Sequence, residues 1–513
     1  MTYALTFDAS ACTGCKACQE ACRDKNDLPG GVLWRWVIEV AGGEWKQSGE
    51  TWENSVFAYN LSLACNHCVH PKCAGVCPVD AFQVRPDGIV LIDGGKCMGC
   101  GYCAWACPYG APQYLAERGV MSKCNFCYDS LDAGLPPSCV AACPLRALDF
   151  VAVEATTSIP APIPTLAPPS APADRLSLWL LPASAHPFPL PPYSRTEPHL
   201  AIRPHPAMAN PLAKQIANRE ELPPLPSPPP VMAGLRRPLD LHPPPGLRSL
   251  LTVRLPAGIR HLSALPELPL VAFTLLSQMA AGIAMCLLAL PQVSLPQLLS
   301  IGILLGAGGL ISFLHLGRKR NAWRAVFHLR KSWLSREVLL AGLFALAWAA
   351  AAGLAWQYHA PPWTAAAGLT AQSPPPLARL LLALLGLALV FSMAQVYRLR
   401  AVPAWNTWRT PVAFFLSAAV LGALGVNLAQ PAAGWAIGAG LGMAAELGLA
   451  LTGESRAGKR ATRPRIGLLI AGVVGVALMV AGAGLEVPVL LIGLTEEVVG
   501  RWQFYAERPV RRY

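Results

Sequence analysis

Beyond residue 268 the chain repeats one pattern, an apolar run closed by a short polar break, and each run is near the ~20 residues that cross a bilayer as a helix. The runs cover approximately 268–290, 296–316, 337–357, 377–398, 410–429, 433–452, 466–483 and 485–504. This predicts eight transmembrane helices in an all-α membrane domain. The last pair is divided least clearly, because Glu486, Pro488, Glu496 and Glu497 interrupt its apolar run. Ahead of residue 150 short strand-like runs such as 88–92 prevail instead. A hydrophobic content of 53% over 513 residues, with mean hydropathy +0.39, agrees with a membrane protein of more than one domain.

Between these halves, residues 151–250 hold 25 of the 50 prolines, with triplets at Pro228-Pro229-Pro230 and Pro243-Pro244-Pro245. Proline removes a backbone donor and fixes φ, so such a stretch disfavours helix and sheet and runs extended. The expected division is therefore 1–150, a proline-rich linker at 151–260 lying over the surface of a partner, and a membrane domain at 261–513.

Charge sharpens the picture. Lysine and arginine number seven from Arg318 to Arg336, three from Arg398 to Arg409, five from Arg456 to Arg465 and four from Arg501 to Arg512. The alternating loops near 291–296, 358–376, 429–434 and 483–488 have none. By the positive-inside rule the basic loops face the cytoplasm. Their bias accounts for the net charge of +12, and no nucleic acid is needed as a partner.

Sixteen of the seventeen cysteines lie in the first 143 residues, in four quartets: Cys12, Cys15, Cys18, Cys22; Cys65, Cys68, Cys73, Cys77; Cys97, Cys100, Cys103, Cys107; and Cys124, Cys127, Cys139, Cys143. The first and third have the spacing C-x2-C-x2-C-x3-C, which wraps three thiolates around one cubane cluster and sends the fourth to a neighbour. The other two insert residues only between the second and third cysteine. Pro78, Pro108 and Pro144 follow three of the closing cysteines, while Arg23 follows Cys22. Sixteen thiolates fill four [4Fe-4S] clusters with none left over. A disulfide framework suits short secreted chains, and no secretory signal is seen at the start. Structural zinc needs paired knuckles and leaves the ferredoxin offsets unexplained.

Two ionisable residues stand at one edge of the membrane half, beside the basic loop: His315 closing the second span and Glu337 opening the third. Such residues at bilayer depth are rare and usually functional. A histidine and a carboxylate placed there can hydrogen-bond a quinol head group and take its protons. The bland alternative has His315 capping its helix and Glu337 pairing with Arg336. Glu446, inside the sixth span, is a weaker candidate, and Cys286 reads as a small packing residue.

Particular runs carry a family likeness. Cys-Thr-Gly-Cys-Lys-Ala-Cys at 12–18, Asn-His-Cys at 66–68, Ala-Cys-Pro-Tyr-Gly-Ala-Pro-Gln-Tyr at 106–114 and Cys-Pro-Leu-Arg-Ala-Leu-Asp-Phe at 143–150 resemble the iron-sulfur subunit of the dimethyl sulfoxide reductase family. Leu-His-Leu-Gly at 314–317, Ser-x-Glu at 335–337, Val-Pro-Ala-Trp at 402–405 and Arg-Thr-Pro-Val-Ala-Phe-Phe-Leu at 409–416 resemble that family's membrane anchor subunit. The first likeness covers about 150 residues and the second, looser one about 245, so the chain looks like a fusion of two subunits that are usually separate.

The resemblance implies an α+β duplicated bacterial-ferredoxin-like domain with four [4Fe-4S] clusters. Its ligand sets would be Cys12, Cys15, Cys18 with Cys143; Cys124, Cys127, Cys139 with Cys22; Cys97, Cys100, Cys103 with Cys77; and Cys65, Cys68, Cys73 with Cys107. It would put the last set nearest the membrane, the first nearest the catalytic partner, and the quinol site at His315 and Glu337. It further implies an electron-transfer and anchor subunit of an anaerobic respiratory molybdoenzyme. Menaquinol would be the diffusible donor, and molybdopterin would reside only in a separate catalytic subunit. A polysulfide or thiosulfate reductase type, or a quinone-reducing subunit, is the near alternative; a non-redox zinc-binding membrane scaffold is the one of a different class. The expected location is the bacterial cytoplasmic membrane. Family likeness suggests the outer face for the cluster domain, whereas the fusion, the absent signal and Arg248, Arg254 and Arg260 favour the cytoplasmic face.

Overall fold

The computed structural model describes residues 2–43, 45–153, 196–209, 268–357, 374–452 and 459–506. Most of the proline-rich stretch and most of the 358–376 loop lie outside these residues.

The N-terminal domain is built from short elements: β1 (Thr2–Asp8), α1 (Ala17–Lys25), β2 (Arg35–Gly42), β3 (Trp45–Ser48), β4 (Thr51–Asn54), β5 (Phe57–Ala64), α2 (Lys72–Val76), β6 (Phe82–Val84), β7 (Val90–Ile92), α3 (Tyr102–Ala106), β8 (Gln113–Leu115), β9 (Val120–Ser122), α4 (Tyr128–Asp132), α5 (Ser138–Ala141) and β10 (Leu148–Val153). Antiparallel pairs β2–β5, β3–β4, β6–β7 and β8–β9 surround the cysteine loops. Strand β1 pairs antiparallel with β10, Phe7 opposite Leu148, which ties the start of the domain to its end.

A third strand joins that sheet from within the expected linker. β11 (Leu200–Arg203) pairs parallel to β1, Leu5 opposite Leu200. Proline richness argued against sheet here, but Leu-Ala-Ile-Arg is a proline-free island between Pro198 and Pro204, and Ile202 is buried. The partner covered by this part of the linker is the cluster domain itself.

Eight long helices follow among the described residues: α6 (Leu268–Cys286), α7 (Leu295–Leu314), α8 (Trp333–Gln357), α9 (Pro376–Tyr397), α10 (Arg409–Ala429), α11 (Ala433–Thr452), α12 (Lys459–Val480) and α13 (Glu486–Ala506). Six of them, α6 to α11, are long and apolar enough to cross a membrane. The last two carry more charge, and the apolar part of α12 is shorter, Pro464–Val480. Ser294 caps α7 with Gln297 reaching back to its N–H, which sets where the helix begins.

Helix α6 packs against α7, α9, α10 and α13. Its closest approach is to α10, where a Cβ at Gly282 would lie 1.9 Å from the Ala418 carbonyl and one at Gly422 2.3 Å from the Gly282 carbonyl carbon. Small residues let two backbones touch where lipid offers no competing hydrophobic drive. Leucines and isoleucines such as Ile303, Leu346, Leu377 and Leu441 point outward, as suits a lipid-facing surface.

The two halves dock through the α7–α8 connection. The Arg318 side chain donates to the carbonyls of Arg118 (2.9 Å) and Gly94 (2.7 Å), and its backbone N–H to Met98 (3.1 Å). Asn321 donates to Gly95 and Cys97, and Ser332 to Val76. Gly119 and Gly317 meet backbone to backbone: a Cβ on Gly317 would lie 2.3 Å from the Gly119 carbonyl oxygen, and Gly119 itself has φ +63°. From the other side, the Tyr102 hydroxyl donates to the Val396 carbonyl at 2.9 Å, and Trp105 packs among Tyr397, Trp405 and Tyr505.

Candidate functional site

Each quartet's last two cysteines are set by a short helix. Cys18 and Cys22 lie one turn apart on α1; Cys73 and Cys103 sit on α2 and α3, with Cys77 and Cys107 as the C-cap residues; Cys139 is on α5. The two-residue gaps turn back through left-handed backbone, at Gly14 and Lys16 (φ +73° and 64°) and at Gly99 and Gly101 (φ +73° and +76°). Only glycine suits Gly99, since a Cβ there would lie 2.5 Å from the Gly119 carbonyl oxygen.

Folding then mixes the quartets. Cys12, Cys15, Cys18 and Cys143 line one cavity; Cys22, Cys124, Cys127 and Cys139 line a second; Cys65, Cys68, Cys73 and Cys107 line a third. Cys77, Cys97, Cys100 and Cys103 lie within electrostatic reach of one another. No disulfide joins any of the cysteines.

This donor set fits an iron-sulfur cluster on three counts. Backbone N–H groups aim at sulfur: Ala81 at Cys77 (3.3 Å), Phe126 at Cys124 (3.3 Å), Ala147 at Cys143 (3.2 Å), and both Gly99 and Met121 at Cys97 (3.4 Å). Burial pushes the thiols of Cys22, Cys68 and Cys100 up to about 12, so ionised sulfur needs cationic metal beside it. Finally, two cations are buried with no carboxylate partner. Arg35 is 2% exposed; its Nη1 donates to Ser62 Oγ at 3.0 Å, and that hydroxyl lies 3.3 Å from Cys18 Sγ. The Arg35 Nε and Nη2 groups have no protein partner. Burial opposes its charge, but the surrounding Cys139, Cys124, Cys18 and Cys22 sulfurs outweigh burial and hold its pKa up. Lys123 lines the cavity of Cys65 and Cys107 and donates to the carbonyls of Val90 and Cys124.

The docking geometry corrects one expectation. The resemblance placed Cys65, Cys68, Cys73 and Cys107 nearest the membrane; the structure puts Cys77, Cys97, Cys100 and Cys103 there. The α7–α8 connection binds the loops that carry Cys77 and Cys97: His328 Nδ1 lies 2.7 Å from the Cys77 carbonyl and Ser335 donates to Pro78. Cys100, just ahead of α3, packs against the helical core, whereas Asn66, Val90 and Thr196 border the other set.

His315 and Glu337 both lie at this docking face. His315 is the C-cap residue of α7, two residues before the Gly317–Gly119 contact, and its Nδ1 is buried without a partner. Glu337 is 4% exposed in the first turns of α8 and within electrostatic reach of Tyr102. No hydrogen bond joins the two among the described residues. Glu337 is not paired with Arg336, whose guanidinium donates to the carbonyls of Leu329 and Arg330 and stacks over Trp333. Glu446 lies apart, beside Glu496 and Glu497. Cys286 is half-buried against the helical core.

Sequence reasoning passed over Arg35, Lys123, Tyr102 and Tyr397. Arg35 had a signal, a charge between Trp34 and Trp36; the others show only through long-range contacts.

Residues 56–153 match the 4Fe-4S dicluster domain family, and residues 262–434 match the DMSO reductase anchor subunit family (DmsC). YnfG of Escherichia coli, a probable anaerobic dimethyl sulfoxide reductase subunit, is 51% identical over 152 residues, 30% of this chain and 74% of that protein. A subunit of the anaerobic dimethyl sulfoxide reductase of Haemophilus influenzae is 42% identical over 204 residues, 40% of this chain and 89% of its own. A formate dehydrogenase iron-sulfur subunit of Wolinella succinogenes is 39% identical over 163 residues, 28% of this chain and 76% of its own. The protein is thus a multi-pass membrane protein with an iron-sulfur domain, a subunit of an oxidoreductase complex. With the cluster half and the anchor half both matched, the chain belongs to the dimethyl sulfoxide reductase family as a fusion of its iron-sulfur and membrane anchor subunits.

Proposed function

We propose that this chain takes electrons from menaquinol in the membrane and delivers them to a separate molybdopterin-bearing catalytic subunit. The observation that carries the reading is the docking of the helical half onto the loops of Cys77 and Cys97, beside buried Glu337 and His315, whose Nδ1 has no partner. The four cysteine groups, Cys12, Cys15, Cys18, Cys143; Cys22, Cys124, Cys127, Cys139; Cys65, Cys68, Cys73, Cys107; and Cys77, Cys97, Cys100, Cys103, would each hold one [4Fe-4S] cluster. Bound there, the clusters supply one-electron redox centres between the membrane and the catalytic partner. Arg35 and Lys123 offset the negative charge of that sulfur-rich interior. His315 and Glu337 orient the quinol head group and accept its two protons.

Replacing His315 with leucine removes a proton acceptor and leaves every cluster thiol in place. Quinol-driven reduction should fall by ~10²-fold or more, the usual worth of general acid-base help, while an artificial dye donor still supports turnover. Glu337→Gln should act in the same direction and more mildly. Equal loss with both donors, normalised to membrane-bound iron, would refute the quinol role. The likeness to a formate dehydrogenase subunit supports a second reading, in which the partner oxidises its substrate and quinone is reduced.

The basic α7–α8 connection binds the cluster domain, so both occupy one side, and by the positive-inside rule that side is the cytoplasm.

A further inference from the structure

Seven polar side chains from five helices meet inside the helical half, deeper than the docking face. Glu446 on α11 and Glu496 and Glu497 on α13 bring carboxylate oxygens within 4.8 Å of one another, all buried. Arg465 on α12 donates to Glu496 Oε1 at 2.6 Å, and Ser417 on α10 donates to Glu497 Oε2 at 2.8 Å. Arg501, one turn beyond Glu497, donates to Gln278 Oε1 on α6 at 2.8 Å, lies 3.4 Å from Ser417 Oγ and stands 3.7 Å over the Phe414 ring. The charged groups facing Glu446 are Glu497 and Glu496 from α13 and Arg465 from α12, with the neutral Ser417 of α10 next in line.

Glu446 decides what this site binds. It is 1% exposed, and neither of its oxygens meets a donor. The polar groups in reach are the carboxyls of Glu497 and Glu496, which accept and cannot donate when ionised. Glu497 Oε1 is likewise buried without a partner. Three carboxylates therefore stand with two guanidinium groups, Arg465 in direct contact and Arg501 linked to Glu497 only through Ser417, and one negative charge is left over where water is excluded. An unpaired buried carboxylate is strongly disfavoured and neutralises instead. One proton removes the surplus charge and supplies the missing donor between the two orphaned carboxyls. A divalent cation would overshoot the charge, and Arg465 and Ser417 already engage two of these oxygens.

We propose that Glu446 and Glu497 share one proton, forming a proton-binding site within the membrane half. A polar seam leads to it from the docking face. Tyr505 lies one turn beyond Arg501 on the same helix, its hydroxyl 2.5 Å from that of Tyr397, and Tyr397 is within electrostatic reach of Glu337. From Tyr505 to Glu497 the seam runs about 12 Å along the helix axis. Occupancy of the site stands on its own; its use as an acceptor for a proton leaving Glu337 rests on the quinol reading above.

Infrared spectra of the intact holo complex in H2O and D2O test the site. Wild type should show a protonated-carboxyl stretch that shifts in D2O, E446Q and E497Q should each lose it, and E337Q should keep it. Absence of the band from wild type overturns the proposal, as does its survival in both variants. A non-iron cation, found by elemental analysis in wild type and lost in E446Q, would do the same. Should those variants fail to assemble, Ser417→Ala keeps all three carboxyls and removes one donor to Glu497. The band should then move in frequency, and a band indifferent to that change also overturns the proposal. Because E337Q retains the band, a failed quinol site and a failed proton site give different results.

Discussion

Replacing Arg35 with methionine keeps most of the side chain's bulk and removes a buried positive charge, which should lower the reduction potentials of the clusters proposed on either side of it. Reduction adds negative charge, and a fixed cation nearby favours the reduced form. Ser62 Oγ bridges Arg35 Nη1 at 3.0 Å and Cys18 Sγ at 3.3 Å. A unit charge roughly 8 Å from a cluster centre is worth about 2 kcal/mol at an effective dielectric constant of ~20. For a one-electron couple that corresponds to a fall of about 90 mV. On the proposed ligand sets, clusters at Cys12, Cys15, Cys18, Cys143 and at Cys22, Cys124, Cys127, Cys139 would border Arg35 and should shift; one at Cys77, Cys97, Cys100, Cys103 should not. Potentiometric titration followed by electron paramagnetic resonance reads each cluster separately in the purified protein. Arg35→Lys, which keeps the charge, should restore most of the potential, and this separates electrostatics from mere space filling. Unchanged or raised potentials in Arg35→Met, with iron content intact, would refute the argument.

Anaerobically purified protein should contain about sixteen iron and sixteen acid-labile sulfide per chain, and Cys100→Ser should lose or convert the cluster at the docking face; half that iron in a fully reconstituted sample would be inconsistent with four clusters. Gly317→Val sets a side chain where a Cβ lies 2.3 Å from the Gly119 carbonyl, so docking should weaken by ~1–3 kcal/mol and proteolysis of the linker should release the cluster domain from membranes more readily than in wild type. Single cysteines introduced in the 358–376 loop should react with a membrane-impermeant reagent in intact cells, and modification only after lysis would place the cluster domain on the outer face.

Much of this architecture was readable along the chain because its signals are local. A transmembrane helix satisfies all its backbone hydrogen bonds within one apolar run, so the expected spans fall close to α6–α13, apart from the more charged last pair. Cysteine spacing is equally local: three residues between the third and fourth cysteine make one helical turn, and the two-residue gaps need left-handed backbone that Gly14, Gly99 and Gly101 provide. What spacing could not say was which face of the cluster domain meets the lipid half. That choice belongs to Arg318, Asn321, His328 and Ser332, whose partners are backbone carbonyls more than two hundred residues away.

The charged network followed the same division. Along the chain Glu446, Glu496 and Glu497 merely interrupt apolar runs, and Arg35 is one charge between two tryptophans. Their sequence determined that each would be costly to bury alone. Only the tertiary structure decided how that cost is met, by bringing Arg465 and Ser417 to the carboxyls and cysteine sulfur to Arg35. Hydrophobic periodicity and ligand spacing act over a turn or two of chain, whereas a buried charge is settled by whichever groups share its low-dielectric surroundings, and those arrive from elements distant in sequence.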